Sequence, residues 1–144
     1  MIFSQNGIHL GEKDLFLEWG KPVENLASKY GAIVEKQGEN YFAFWGENAF
    51  IKESGINLGT QFGVGTLFTE LEYSVLGENT ATRNFETIKK YFTEKLGQPR
   101  TDNQNGERII WITDLVKIKL ELEDFRGLRL HLLIRKNNGC QQTL

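Results

Sequence analysis

Residues 107–136 constrain the fold more than any other part of the chain. Val116, Ile118, Leu120 and Leu122 alternate with Lys117, Lys119, Glu121 and Glu123. Further on, Leu128, Leu130, Leu132 and Ile134 alternate with Arg129, His131, Leu133 and Arg135. A period of two over this length specifies two strands, each with one buried and one wet face. Phe125, Arg126 and Gly127 fit a three-residue hairpin loop with glycine in the left-handed position. That register sets Glu123 opposite Arg129 and Glu121 opposite His131, with both apolar rows on one side. A slip of one residue would place the rows on opposite faces, so the register is strongly specified. Residues 107–112 supply a preceding strand that carries Trp111.

The rest of the chain reads as helices and strands around this hairpin. Asn6-Gly7 between residues 1–3 and 8–10 predicts a two-residue hairpin, and 13–19 a third strand with Leu15, Leu17 and Trp19 on one side. Pro22 opens a helix whose stripe is Val23, Leu26, Ala27 and Tyr30, and Gly31 stops it. Residues 32–36 and 41–45 read as strands around a turn at 37–40, whereas the glycine-punctuated stretch 47–65 gives no clear pattern. Residues 66–75 alternate again, with Leu67, Leu71, Tyr73 and Val75 against Phe68, Glu70, Glu72 and Ser74. A polar loop at 77–80 precedes a second helix over 82–96, striped by Phe85, Ile88, Phe92 and Leu96 and ended by Gly97 and Pro99. Asn105-Gly106 marks a turn before the closing strands.

A shift of 66 residues lays Lys29-Tyr30-Gly31 on Lys95-Leu96-Gly97 and Trp45 on Trp111. Residues 20–76 and 82–136 thus share an order: a helix ended by glycine, a polar connection, a tryptophan-bearing strand, then more strands. The expected fold is α+β, a two-layer sandwich in which one antiparallel sheet carries both helices on its apolar face. Residues 1–136 would form a single domain, and 137–144 a frayed polar tail holding the lone Cys140.

Composition narrows the function. The net charge of −2 advertises neither nucleic acid nor an anionic membrane as a partner. The halves differ, however: residues 1–77 carry 5 Lys and Arg against 10 Asp and Glu, while 78–144 carry 12 against 9, nets of −5 and +3. One cysteine allows no internal disulfide and suits a reducing compartment. With no signal peptide and no apolar run long enough to span a bilayer, a cytoplasmic protein is expected.

Catalytic signatures are missing from the sequence. His131 reads as one half of a cross-strand polar pair, and His9 ends a terminal hairpin. No Cys/His cluster has metal spacing, and the glycines at 55, 59, 63 and 65 match neither GxGxxG nor GxxxxGK. No cofactor, no metal and no enzymatic activity are expected. The basic row Lys117, Lys119, Arg129, His131 and Arg135 is interrupted by Glu121 and Glu123 and shares its face with no aromatic, unlike sheets that stack bases. By parity Phe68, Glu70 and Glu72 share one face, an aromatic beside two carboxylates, which has the composition of an interface for a basic partner.

In its Ile8-His9-Leu10-Gly11 start and its Lys29-Tyr30-Gly31 and Lys95-Leu96-Gly97-Gln98-Pro99 helix ends, the chain resembles small bacterial immunity proteins. These are encoded beside polymorphic or contact-dependent toxins. The resemblance implies cytoplasmic binding and neutralisation of a cognate toxin domain, often a basic nuclease, and carries no functional residue onto a position here. A small-ligand or lipid carrier, its cavity between helices and sheet lined by some of the 17 aromatic residues, is the alternative.

Overall fold

The computed structural model describes residues 1–11, 14–102, 107–124 and 126–138. Its secondary structure is α+β with mostly antiparallel pairing, and the chain divides into two compact units, Met1–Glu72 and Tyr73–Leu144.

The first unit opens with three antiparallel strands, β1 (Ile2–Phe3), β2 (Gly7–Leu10) and β3 (Leu15–Glu18). Phe3 pairs with Ile8, so residues 4–6 connect β1 to β2, with Gly7 already in β2, and Asn6-Gly7 is not the two-residue turn its sequence suggests. Gly7 serves a different need. A Cβ there would lie 2.2 Å from the Leu17 carbonyl oxygen, so glycine lets the β2 and β3 backbones approach. Ile8, Leu10 and Leu17 are fully buried on this small sheet.

Helix α1 (Val23–Tyr30) buries Val23, Leu26 and Ala27 and ends at Gly31, whose φ of 64° is the left-handed cap expected of glycine. Four strands follow as a meander: β4 (Ile33–Gln37), β5 (Asn40–Glu47), β6 (Asn57–Phe62) and β7 (Glu70–Leu76), the last crossing the unit boundary. Residues 38–39 join β4 to β5, with Gly38 at φ 63° as the first central residue of a hairpin turn. Strand β6 lies inside the stretch that gave no sequence pattern. Its pairing with β5 shifts register between Phe44 and Glu47, a bulge that interrupts any simple alternation.

Phe68 overturns one parity assignment. Residues 66–68 do not belong to β7; they run antiparallel to 20–23 through Phe68 N–H to Lys21 O (2.7 Å), Gly20 N–H to Phe68 O (2.9 Å) and Val23 N–H to Thr66 O (2.9 Å). The strand proper starts at Glu70, so alternation counted from residue 66 places Phe68 wrongly. Its ring is fully buried and stacks on Trp19 at 4.9 Å, while Leu67 is the exposed neighbour.

In the second unit α2 (Glu78–Leu96) begins four residues earlier than 82, absorbing most of the predicted polar loop. Gly77 at its N-cap supplies no side-chain cap, which left no N-terminal signal, and buried Ala81 extends the Phe85, Ile88 and Phe92 stripe by one turn. Asn84 is buried on this helix and donates to the Tyr73 hydroxyl at 2.8 Å. Burial raises the Tyr73 pKa above its ordinary value, against the opposing pull of Asn84 and Arg83.

Strands β8 (Arg100–Asp102), β9 (Glu107–Ile112), β10 (Val116–Asp124) and β11 (Leu128–Lys136) form a second meander under α2. Glu121 faces His131, Glu123 faces Arg129 and Asp124 faces Leu128, the register expected from the sequence. Arg126 and Gly127 both take positive φ, 53° and 116°; Phe125 lies outside the described residues, as do Asn105-Gly106 and Cys140. Ile109, Ile118, Leu120, Leu130, Leu132 and Ile134 are fully buried. Asn137 is not frayed: its N–H donates to Leu115 O and its amide to Thr113 O at 2.7 Å.

The opposite face of β10 and β11 is not the solvated row predicted. Lys117 is 6% exposed and Leu133 5%. The register explains this. Lys117 and Lys119 lie opposite Ile112 and Ile110 on β9, and Lys119 opposite Leu133 on β11, so lysine stems alternate with apolar side chains.

Candidate functional site

The second strand of the first meander decides which surface is available. Along β5, Tyr41, Ala43 and Trp45 share one face, and Phe42 and Phe44 the other. The first set faces α1: Ala43 and Trp45 are buried, and Tyr41 lines a cleft with Ala27 of the helix. Phe42 and Phe44 are therefore on the face away from α1, half-buried, with rings 6.4 Å apart and nearly parallel.

Cross-strand register extends that face in both directions. On β4, Ile33 is opposite Phe44 and Glu35 opposite Phe42; on β6, Gly59 is opposite Phe44 and Gln61 opposite Phe42. Gly59 in turn pairs with Glu72 of β7, and Glu70 shares the Glu72 face by parity. A Cβ at Gly59 would meet the Phe44 ring at 3.0 Å, so the missing side chain lets that ring lie between β5 and the Glu72 position. Glu70 and Glu72 are half-buried and line a cleft of about 360 Å³ with Asn40, Gln61 and Thr66.

Of the three residues that parity grouped, Glu70 and Glu72 come together and Phe68 does not. The aromatic component is supplied by Phe42 and Phe44 instead. Residues 41–45, all apolar, carry no alternation from which faces could be read. Gly59 inside a strand was the available signal, because such glycines mark a close approach by a ring or a backbone.

The charge around this face is one-sided. Residues 1–72 contain five lysines and no arginine against ten Asp and Glu. The mixed-charge row of the second unit instead interleaves cations with its carboxylates. Lys119 Nζ lies 2.9 Å from Glu121, Arg108 is 3.5 Å from the same carboxylate, and Arg129 pairs with Glu123. Burial would raise the Glu121 pKa, but Lys119, Arg108 and His131 outweigh it and hold the carboxyl below its ordinary value.

A second cleft, of about 460 Å³, lies on the α1 side of the same meander, lined by Ala27, Ala32, Val34, Tyr41, Phe62 and Val64 among others. Its rim is braced where Gly65 N–H donates to Glu24 Oε1 at 2.6 Å, and Val64 at the tip of that turn is 87% exposed.

Among the described residues no group of three or more His, Cys, Asp and Glu side chains is arranged to hold a metal ion, and no helix is long and apolar enough to cross a membrane. His9 contacts Asp14 at 3.1 Å. No family model, curated protein or solved structure matches the chain.

Proposed function

We propose that the chain is a non-catalytic protein-binding module. On this reading it is a cytoplasmic inhibitor similar to bacterial immunity proteins, neutralising a cognate basic toxin domain, and its binding surface includes Glu70 and Glu72. The observation that supports the reading is the face of β4–β7 away from α1. It combines the Phe42–Phe44 ring pair with Glu35, Glu70 and Glu72, in a unit of net charge −5. Aromatic side chains give contact area at small entropic cost, and surrounding carboxylates steer a basic partner and select against acidic ones. Phe68, as part of the Trp19 core stack, supports the surface rather than touching the partner.

We also read residues 20–76 and 82–136 as copies of one helix-plus-meander unit, each a two-layer piece with a helix on one face of its strands. The element order α1, β4, β5, β6, β7 repeats as α2, β8, β9, β10, β11.

The test is a Glu70→Lys, Glu72→Lys double variant, first checked for an unchanged urea midpoint. Against the protein recovered from its own cells on immobilised wild type, affinity should fall at least tenfold, and protection of cells expressing that partner should be lost. Unchanged affinity would remove this surface. One observation favours the carrier alternative, the apolar cleft between α1 and the strands. Native mass spectrometry that found a metabolite retained on the purified protein, with no protein partner recovered, would select it.

A further inference from the structure

Strand β4 is the end strand of its meander: among the described residues it pairs with β5 alone. The two-residue turn at 38–39 makes Gln37 and Asn40 the closing hydrogen-bonded pair. Alternation then directs the N–H and C=O groups of Ile33, Glu35 and Gln37 towards β5, and those of Val34 and Lys36 outwards. All five residues of β4 are exposed, Ile33 to 64%. Exposed apolar residues on both faces of an end strand are unusual, because such edges ordinarily invite pairing and are blunted.

We propose that this edge accepts an extended segment of a protein partner as an added antiparallel strand, its side chains alternately apolar and basic. The two faces specify that alternation. Side chains of an added strand opposite Val34 and Lys36 fall on the α1 side, beside the 460 Å³ cleft lined by Ala27, Val34, Tyr41, Phe62 and Val64. An apolar side chain fits there. Side chains opposite Ile33 and Glu35 fall on the other face, beside the Glu35 carboxylate and the neighbouring Phe42–Phe44 pair of β5, in a unit that has no arginine. A basic side chain with an apolar stem fits there. Main-chain hydrogen bonds to Val34 and Lys36 supply affinity and the two faces supply selectivity, the division of labour in strand addition. Only the basic half of this specification rests on the proposed function; the edge and the cleft stand without it.

The probe is an acetylated, amidated heptapeptide alternating valine and lysine, titrated into ¹⁵N-labelled protein. Binding should slow amide exchange at Val34 and Lys36 at least tenfold. The same peptide with alternate backbone amides N-methylated should bind at least tenfold more weakly. Val34→Pro, which removes an outward N–H and leaves the β5 ladder intact, should have the same effect. The methylated peptide keeps the proposal testable if that variant misfolds. Resonance shifts confined to Gln61, Glu70 and Glu72, with none on β4, would overturn strand addition and leave the acidic surface standing. Protection on β4 that survives Glu35→Lys and high salt unchanged would support the added strand and count against the basic side chains specified for it. Protection of β4 in the free protein that grows with its own concentration would overturn the proposal, the occupant then being a second copy.

Discussion

The two units follow the same order of elements, a helix then four strands, and both bury a tryptophan on the second strand of the meander, Trp45 at 4% exposure and Trp111 at 3%. They use the face away from their helix differently. In the second unit that face is filled by ion-paired side chains between Ile110, Ile112 and Leu133. In the first it carries a half-buried pair of aromatic rings, two half-buried carboxylates and an exposed isoleucine. Equal secondary structure thus produces one face of interleaved cations, carboxylates and apolar side chains and one of aromatic rings and carboxylates, whose composition suits a basic partner. What separates them is the supply of cations. The second unit has twelve Lys and Arg for nine acids, the first five for ten.

The largest effect expected is on the cores. Phe68→Ala should cost about 3–5 kcal/mol, as a truncation inside the Trp19 stack, and Leu120→Ala or Leu130→Ala about 2–5 kcal/mol. Urea midpoints measure all three. A Phe68 cost under about 0.5 kcal/mol, the behaviour of a surface residue, would restore the parity assignment that the structure overturns.

The tryptophans come next. Trp45 donates to the Thr60 hydroxyl at 3.1 Å and Trp111 to the Gly97 carbonyl at 3.0 Å, so their partners differ while their burial matches. Acrylamide quenching of variants retaining one of the two, with Trp19 also replaced, should give similar low constants. One protected and one strongly quenched residue would break the parallel between the units.

Side chains on the ion-paired face should matter less. Arg129→Ala should cost under roughly 1 kcal/mol, because a half-exposed pair returns little net free energy. Lys119→Ala should cost more than that, because its side chain is only 16% exposed and its stem packs between Ile110 and Leu133. Glu121→Gln should be smaller still in size but informative in pH. A carboxyl held below its ordinary value stabilises the fold above the unfolded-state pKa, and that contribution is lost as pH falls through the folded-state value. Wild type and Glu121→Gln should therefore differ at pH 7 and converge in acid. A difference that persisted at pH 2 would assign the effect to packing.

Where the chain alternates cleanly the sequence was a sufficient guide. The β10–β11 register and the Gly31 cap both follow from local pattern, the first because one face of each strand is uniformly apolar and the second because glycine takes the left-handed conformation freely. The legible part of the candidate site was Glu70 and Glu72, on a strand that does alternate. Phe42 and Phe44 were hidden in an all-apolar run, and β6 behind a bulge and its glycines. Phe68 was misplaced because a short bridge to residues 20–23 interrupts the alternation before β7 starts. At Phe68 and at the β5–β6 bulge the cause is the same: backbone pairing between distant segments reset a parity that local counting assumed to be continuous.

The most direct test of the contrast between the units is the association rate of the recovered partner with three proteins, at low and high salt. These are wild type, Glu70→Lys with Glu72→Lys in the first unit, and Lys119→Ala with Arg129→Ala in the second. Wild type should associate fast and slow markedly as salt rises. The first double variant should lose at least tenfold at low salt with a flattened salt dependence, and the second should match wild type. Equal rates for wild type and the first variant, or a loss confined to the second, would contradict the assignment of the binding face to the acidic unit.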